Sequence, residues 1–229
     1  MPSTTGVPHT ALFRRLAAVD RRLAGAYGTP RRRRGDPLDT LIETVLSQNT
    51  SDLNSGRAFR SLKSAFPRWS AVARARPRAV ESAIRVGGLA RIKSRRIADV
   101  LAATRAREGR YGLNSFRRLR PAAADARLRG LPGVGPKTRA CVLLFACGHP
   151  AFPVDTHVHR IVRRLGLVPE RTTAEQADAI LTPAVPAGRA LGLHLNLIRL
   201  GREICRPSRP RCAECVLRAL CRFARERRS

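Results

Sequence analysis

Acidic, lysine and aromatic side chains are all scarce in this chain. Asp and Glu number sixteen in 229 residues against forty-five Lys and Arg, leaving a formal net charge of +29. The sixteen acids are scattered, with none of the clusters that a metal-dependent phosphodiester hydrolase needs to hold its ions. Seven Phe, two Tyr and one Trp leave little from which to build the base-stacking platform of a single-strand-binding protein. No run of about eighteen apolar residues occurs, and the N-terminus lacks the successive charged, apolar and small-residue zones of a secretory signal. The expectation is a soluble cytoplasmic protein, nucleoid-associated if bacterial, with no membrane partner. Nothing in the sequence requires an oligomer, so a monomer is expected.

What the chain has in excess is arginine, at forty-two residues, against Lys63, Lys93 and Lys137. A lysine in such a background is either drift from arginine or answers a need that guanidinium cannot meet, such as an amine able to lose its proton. The charge draws the chain to polyanions. Nucleic acid is the leading partner, because each basic group placed near a phosphate releases counterions. With 43% apolar residues over this length, one large or two small domains can form without disulfides.

From Leu12 through Leu16, Val19, Leu23 and Tyr27 apolar residues recur at three-to-four spacing, the stripe of an amphipathic helix that Gly28 and Pro30 end. The arginine run Arg31–Arg34 reads as a solvated charge run or a diffuse contact with DNA backbone. Helical patterning continues over 37–46, 53–66, 77–85, 93–108, 121–128, 136–147, 156–165, 173–181 and 187–205, and no convincing strand appears. The fold class is therefore all-α. Short Gly, Pro and Ser breaks separate the helices, and no repeat period suggests a solenoid.

The segment LRGLPGVGPKT, Leu128 to Thr138, places glycines and a proline between two helical patterns. Either it is an ordinary turn between helices, or Gly133 and Gly135 take positive φ and present bare N–H groups that grip a phosphate without reading sequence. Lys137 opens the helix that follows, and Asp155 comes after Pro153-Val154 in PVDTHVHR. A helix N-terminus and neighbouring cations favour the neutral, nucleophilic form of a lysine. A nearby carboxylate can orient that amine, take up protons or stabilise the cation left when a sugar loses its base. Four of the six cysteines, Cys205, Cys212, Cys215 and Cys221, crowd the C-terminal end at C-x6-C-x2-C-x5-C, a spacing that points to a metal centre in a reducing compartment. A structural zinc is one candidate there. Cys141 and Cys147 lack such spacing and read as core.

LPGVGPKT followed by PVDTH, with the four-cysteine spacing, resembles the endonuclease III family of DNA glycosylases, the match running from about Leu38 to Phe223. The resemblance implies two helical domains with a DNA cleft between them: a helical barrel at 37–149, with a helix-hairpin-helix at about 121–147, and an iron-sulfur cluster domain joining 1–36 to 150–229. It implies a [4Fe-4S] cluster on Cys205, Cys212, Cys215 and Cys221. Lys137 would attack C1′ of the damaged nucleotide and form a Schiff base that permits β-elimination, and Asp155 would assist base loss. The activity implied is that of a bifunctional DNA glycosylase and AP lyase of base excision repair. It would act on double-stranded DNA carrying oxidised pyrimidines of the thymine glycol type or abasic sites. A phosphate contact is the plainer role for Lys137; a monofunctional or mismatch-specific glycosylase and a non-catalytic DNA-binding protein remain as alternatives.

The resemblance also bears on DNA contacts. LSQNTSD matches the family's insertion loop, with Gln48 or Asn49 filling the gap left by a flipped base, unless this polar stretch is simply a helix cap. Leu89, after Gly87 and Gly88, resembles the apolar wedge, though a core position fits it equally. Lys93, Arg95 and Arg96 read as backbone contacts or a solvated face. Leu131, Gly133, Gly135, Thr138 and His157 complete the expected DNA-binding set, and the pair His157 and His159, two apart, does not share a helix face as a metal pair would.

Overall fold

The computed structural model describes residues 9–31 and 35–227, so the run Arg31–Arg34 lies, beyond Arg31, outside the described residues. The helices are α1 (His9–Tyr27), α2 (Pro37–Ser47), α3 (Asp52–Ala65), α4 (Trp69–Arg74), α5 (Pro77–Ile84), α6 (Ala90–Glu108), α7 (Pro121–Arg129), α8 (Pro136–Val142), α9 (Thr156–Leu165), α10 (Ala174–Leu181), α11 (Ala190–Glu203) and α12 (Arg222–Glu226). No strand occurs among the described residues, and the chain is all-α. None of these helices is long and apolar enough to cross a membrane. Three features depart from the periodicity: α4 and α12 are too short for an apolar period to register, α6 begins at Ala90 instead of Lys93, and the helix expected to run to Cys147 becomes a π turn over Leu143–Cys147.

The chain divides into two compact units, Arg34–His149 and Met1–Arg33 with Pro150–Ser229. In the first, α2 is buried along most of its length, at Pro37, Leu38, Thr40, Leu41, Ile42, Thr44, Val45 and Leu46. A helix apolar on nearly every face belongs inside a core, and α2 is packed by α3, α6, α8 and the π turn. Its start is fixed by Asp36, whose Oδ1 accepts the Leu38 and Asp39 N–H groups at 2.9 and 3.1 Å, with Pro37 at the position where a missing N–H costs nothing. Asp36 Oδ2 accepts from Asn114 Nδ2 at 2.9 Å, tying the cap to the 3-10 turn that precedes α7. One turn on, Asp39 Oδ1 accepts from Trp69 Nε1 at 2.8 Å, and the Lys63 ammonium lies 3.5 Å from that oxygen and 4.4 Å from the Trp69 ring centre.

In the second unit the α1 stripe Leu12, Leu16, Val19 and Leu23 is buried with Val158, Ile161, Val162 and Leu165 of α9 and Leu193, Leu197 and Leu200 of α11. Arg15 on the flank of α1 donates to the Leu165 and Gly166 carbonyls at 2.7 Å each, closing the C-terminus of α9 with a cation where the helix dipole favours one. Asp20, only 4% exposed, is held by Arg189 Nε at 2.6 Å.

Asp36→Ala removes a cap that serves two backbone donors and one side chain, and is expected to cost about 1–2 kcal/mol, read as a lower urea midpoint at unchanged m-value.

Candidate active site

The turn between α7 and α8 is built from the inside out. Leu131 and Val134 are 4% and 6% exposed and anchor it in the core of the Arg34–His149 unit. Arg139 Nε donates to Asp125 Oδ1 at 2.7 Å, tying α8 to α7. Gly133 takes φ +68, and a Cβ there would stand 2.7 Å from Arg96 Nε. Gly135, in contrast, has an extended φ of −76 with open space around it, so the expectation of positive φ holds for Gly133 alone. The side chains of Leu131 and Thr138, each 4% exposed, point inward and pack, which leaves only their backbone to face a ligand. What the turn presents outward is backbone at Pro132, Gly133 and Gly135, followed by the N–H groups of the first turn of α8, which have no intrahelical acceptors. Lys137 is the second residue of that turn, half-buried, and among the described residues its ammonium has no hydrogen-bond or ion-pair partner.

Two more loops of this unit carry expected residues. Gln48 closes α2, and its Oε1 accepts from Arg96 Nη1. Asn49 beyond it is exposed with φ +53. Leu89, at φ +49 and 51% exposed, is a surface residue and not a core one. Val86 and Ile92 flank it at 37% and 55% exposure, an apolar tip in a strongly basic chain. Lys93 reverses its expectation: it is 3% exposed and turned inward, where burial lowers its pKa from the usual lysine value. Arg96 likewise has a structural task that the sequence did not show, because it bridges Gln48 and Gly133 from elements far apart in the chain. Arg91, Ile92, Arg95, Arg96, Asp99, Pro132 and Gly133 line a groove of about 530 Å³ beside the hairpin.

In the other unit Asp155 is the N-cap of α9, its Oδ1 accepting the Val158 N–H at 2.8 Å, which fixes the carboxylate at a helix N-terminus. His157, half-buried, also has a structural task. Its ring lies against Gly201 of α11, where an added Cβ would come within 2.9 Å, and its Nδ1 is 3.1 Å from Arg160 Nη2, so it packs α9 on α11. His159 Nε2 is 2.7 Å from the Thr172 carbonyl oxygen.

Cys205, Cys212, Cys215 and Cys221 line one small cavity, of about 20 Å³, with Arg164, Arg218 and Phe223, and none is in a disulfide. Burial pushes the Cys215 and Cys221 thiols up, and Cys205 and Cys212 push both the same way, so that the neutral thiol is favoured at both. Among the described residues no three His, Cys, Asp or Glu side chains converge as the ligands of a single ion. Four thiols spread around one cavity suit a polynuclear group better than one zinc, whose four bonds of about 2.3 Å would draw the sulfurs together. Arg164 joins this wall unannounced by any motif: its Nη1 donates to Cys205 Sγ at 3.3 Å and its guanidinium stacks on Phe223 at 4.6 Å. Cys141 and Cys147, at 3% exposure, are core.

The hairpin with its lysine, the capped aspartate and the cysteine cavity define a class that comparison with known proteins identifies. Residues 42–187 match the family model described as HhH-GPD superfamily base excision DNA repair protein. An Arabidopsis thaliana protein named as a DNA glycosylase is 40% identical over 165 residues, 72% of this chain and 56% of its own length, so this chain spans little more than half of it. Endonuclease III of Thermotoga maritima is 37% identical over 192 residues, 84% of this chain and 85% of that one. A structure of endonuclease III trapped as a covalent intermediate with DNA matches at a TM-score of 0.81 and 26% identity, covering 95% of this chain and 99% of that one. The chain belongs to the HhH-GPD superfamily of base excision DNA repair proteins, and within it is a DNA glycosylase similar to endonuclease III.

Gly133→Ala forces a side chain into left-handed backbone against Arg96 and is expected to cost about 1–2 kcal/mol. Gly135→Ala, losing only a better N-cap, is expected to cost about 0.5 kcal/mol. Urea melts of the two variants side by side check this difference.

Proposed function

We propose that this chain is a bifunctional DNA glycosylase and AP lyase that removes oxidised pyrimidines of the thymine glycol type from double-stranded DNA. The observation that carries the reading is Lys137: a rare lysine, without a partner among the described residues, in the first turn of a helix beside a backbone-presenting hairpin. Hairpin amides grip a phosphate by its charge and not by sequence, which suits an enzyme that finds damage anywhere.

Lys137 Nζ, as the neutral amine, attacks C1′ of the damaged nucleotide, and the N-glycosidic bond breaks with its electron pair leaving on the base, which takes up a proton. Asp155 stabilises the positive charge that grows on the sugar, a role for which its carboxylate is fixed at the start of α9. Opening of the sugar ring leaves a Schiff base between Nζ and C1′. Loss of a C2′ proton then expels the 3′ phosphate as the C3′–O bond breaks, and water releases the lysine. The donor set of Cys205, Cys212, Cys215 and Cys221, four thiols lining one cavity, suits a [4Fe-4S] cluster, which would cross-link the C-terminal loop. Arg164, donating to Cys205, would place positive charge beside the thiolates.

Borohydride trapping tests the lyase. A duplex with a single thymine glycol should give a covalent adduct with the wild-type chain and none with Lys137→Gln at equal helicity. Release of free base without an adduct would make the enzyme monofunctional and Lys137 a phosphate ligand. Adduct formation on a plain abasic site, with none on thymine glycol, would keep the lyase and shift the substrate to another base, for which G·T and uracil duplexes are the next arms.

The cysteine assignment has its own readout. The purified chain should carry about four iron and four sulfide with visible absorbance, and Cys215→Ala should lose both together with its C-terminal protease resistance.

A further inference from the structure

The amine of Lys93, the buried lysine that the reaction does not use, sits between two backbone carbonyls. Nζ donates to the Leu46 carbonyl and to the Gly87 carbonyl, both at 2.7 Å. Leu46 lies in the last turn of α2, where carbonyls lack intrahelical donors, and Gly87 ends the 3-10 turn before α6. One ammonium therefore joins the ends of two segments that are forty-one positions apart in the chain. Each carbonyl lies two or three residues upstream of a non-glycine residue held at positive φ: Asn49 at +53 after Leu46, and Leu89 at +49 after Gly87. A side chain in that region of backbone space persists only where its surroundings over-determine it. Of the three such residues among those described, two are in these two loops.

The same face of α6 holds a second tie. Arg96, three residues on and so adjacent on the helix surface, donates to Gln48 Oε1 and lies over Gly133 of the hairpin. The site of Lys93 is closed to solvent, and two carbonyl acceptors define it, which the compact ammonium serves together.

We infer that Lys93 is a positioning residue that clamps the Gln48-Asn49 loop and the Leu89 tip into one rigid wedge, set before DNA arrives, so that both enter the duplex together when a nucleotide is flipped out. This rests on the proposed reading of those two loops as the parts that enter DNA. Pre-set geometry matters because ordering two loops at the moment of binding would be drawn from the affinity for the damaged site. Lys93 itself touches no DNA, since it is covered by its own unit.

The test uses the intact chain with its cofactor as isolated and a duplex carrying a tetrahydrofuran abasic analogue opposite 2-aminopurine. Binding by the wild-type chain should raise the 2-aminopurine fluorescence as the opposite base is unstacked. Lys93→Met, close to isosteric and unable to donate, should keep its affinity for undamaged duplex within about twofold, since phosphate contacts set that affinity. It should lose most of the fluorescence rise, and about tenfold of its preference for the abasic duplex. Leu89→Ala should lose the rise as well. A wild-type rise from Lys93→Met, with the rise lost in Leu89→Ala, would overturn the clamp while leaving the loops' role standing. An unchanged rise in both variants would remove the role of the loops and the clamp with it.

Amide exchange on the wild-type chain decides the matter where Lys93→Met does not fold. Residues 46–50 and 87–90, if clamped, open as one unit and slow together on binding the abasic duplex. Independent exchange of the two segments would overturn the inference.

Discussion

A chain with a formal net charge of +29 has to fold against its own repulsion, and that constraint shapes how its buried and capping acids and many arginines are used. Acids work as structural posts. Asp36 caps α2, Asp155 caps α9, Asp125 ties Arg139 and Arg129, Asp20 holds Arg189, and Glu108 meets Arg127. With the acids so placed, many arginines find backbone oxygens instead. Arg15 closes α9, Arg160 donates to the Gly201 and Cys205 carbonyls, Arg164 to those of Arg206 and Pro207, and Arg117 to that of Gly35. Carbonyls at helix ends carry the negative pole of the dipole, so the same contact relieves an orphaned acceptor and a crowded cation.

The same constraint divides the surface. Cations that find no oxygen inside the chain remain available for phosphate, as Arg91 and Arg95 do along the groove beside the hairpin. An apolar tip of Val86, Leu89 and Ile92 in such surroundings is conspicuous, because exposed aliphatic side chains gain nothing from water and cannot attract a backbone phosphate. Between stacked bases they can replace the contacts a flipped nucleotide gives up. Holding a backbone by charge and entering a stack with a small apolar tip would be separate tasks, and the N-terminal end of α6 with the turn before it brings both kinds of side chain together.

Much of this was legible in the sequence because it is written in local signals. The α1 stripe, the Pro at the starts of α2, α5, α7 and α8, and the glycine-rich turn between α7 and α8 are short-range patterns with direct physical causes. The cysteine spacing was equally local. What stayed hidden depends on contacts between distant segments. Nothing adjacent to Lys93 says that its amine will meet Leu46 and Gly87, nothing near Arg96 points to Gln48 and Gly133, and nothing near Arg164 points to Cys205. The inward turn of the Leu131 and Thr138 side chains and the packing of His157 on Gly201 stayed hidden for the complementary reason: membership of a motif fixed their place in the chain but not the side to which each side chain turns.

The three lysines show how far composition alone can carry an argument. Lys63 stands over the Trp69 ring beside Asp39, a setting in which arginine would serve as well, since guanidinium also stacks on aromatic faces. Lys93 fills a closed space between two carbonyls and donates to both. Lys137 stands in the first turn of α8 without a partner among the described residues, at a place where arginine would hold a phosphate as firmly and with better hydrogen-bond geometry. Contacts inside the fold engage the first two lysines, and none among the described residues engages the third. The property that separates ammonium from guanidinium at Lys137 is the ability to give up a proton and attack carbon, and in a chain that chose arginine forty-two times that difference favours chemistry over phosphate binding there.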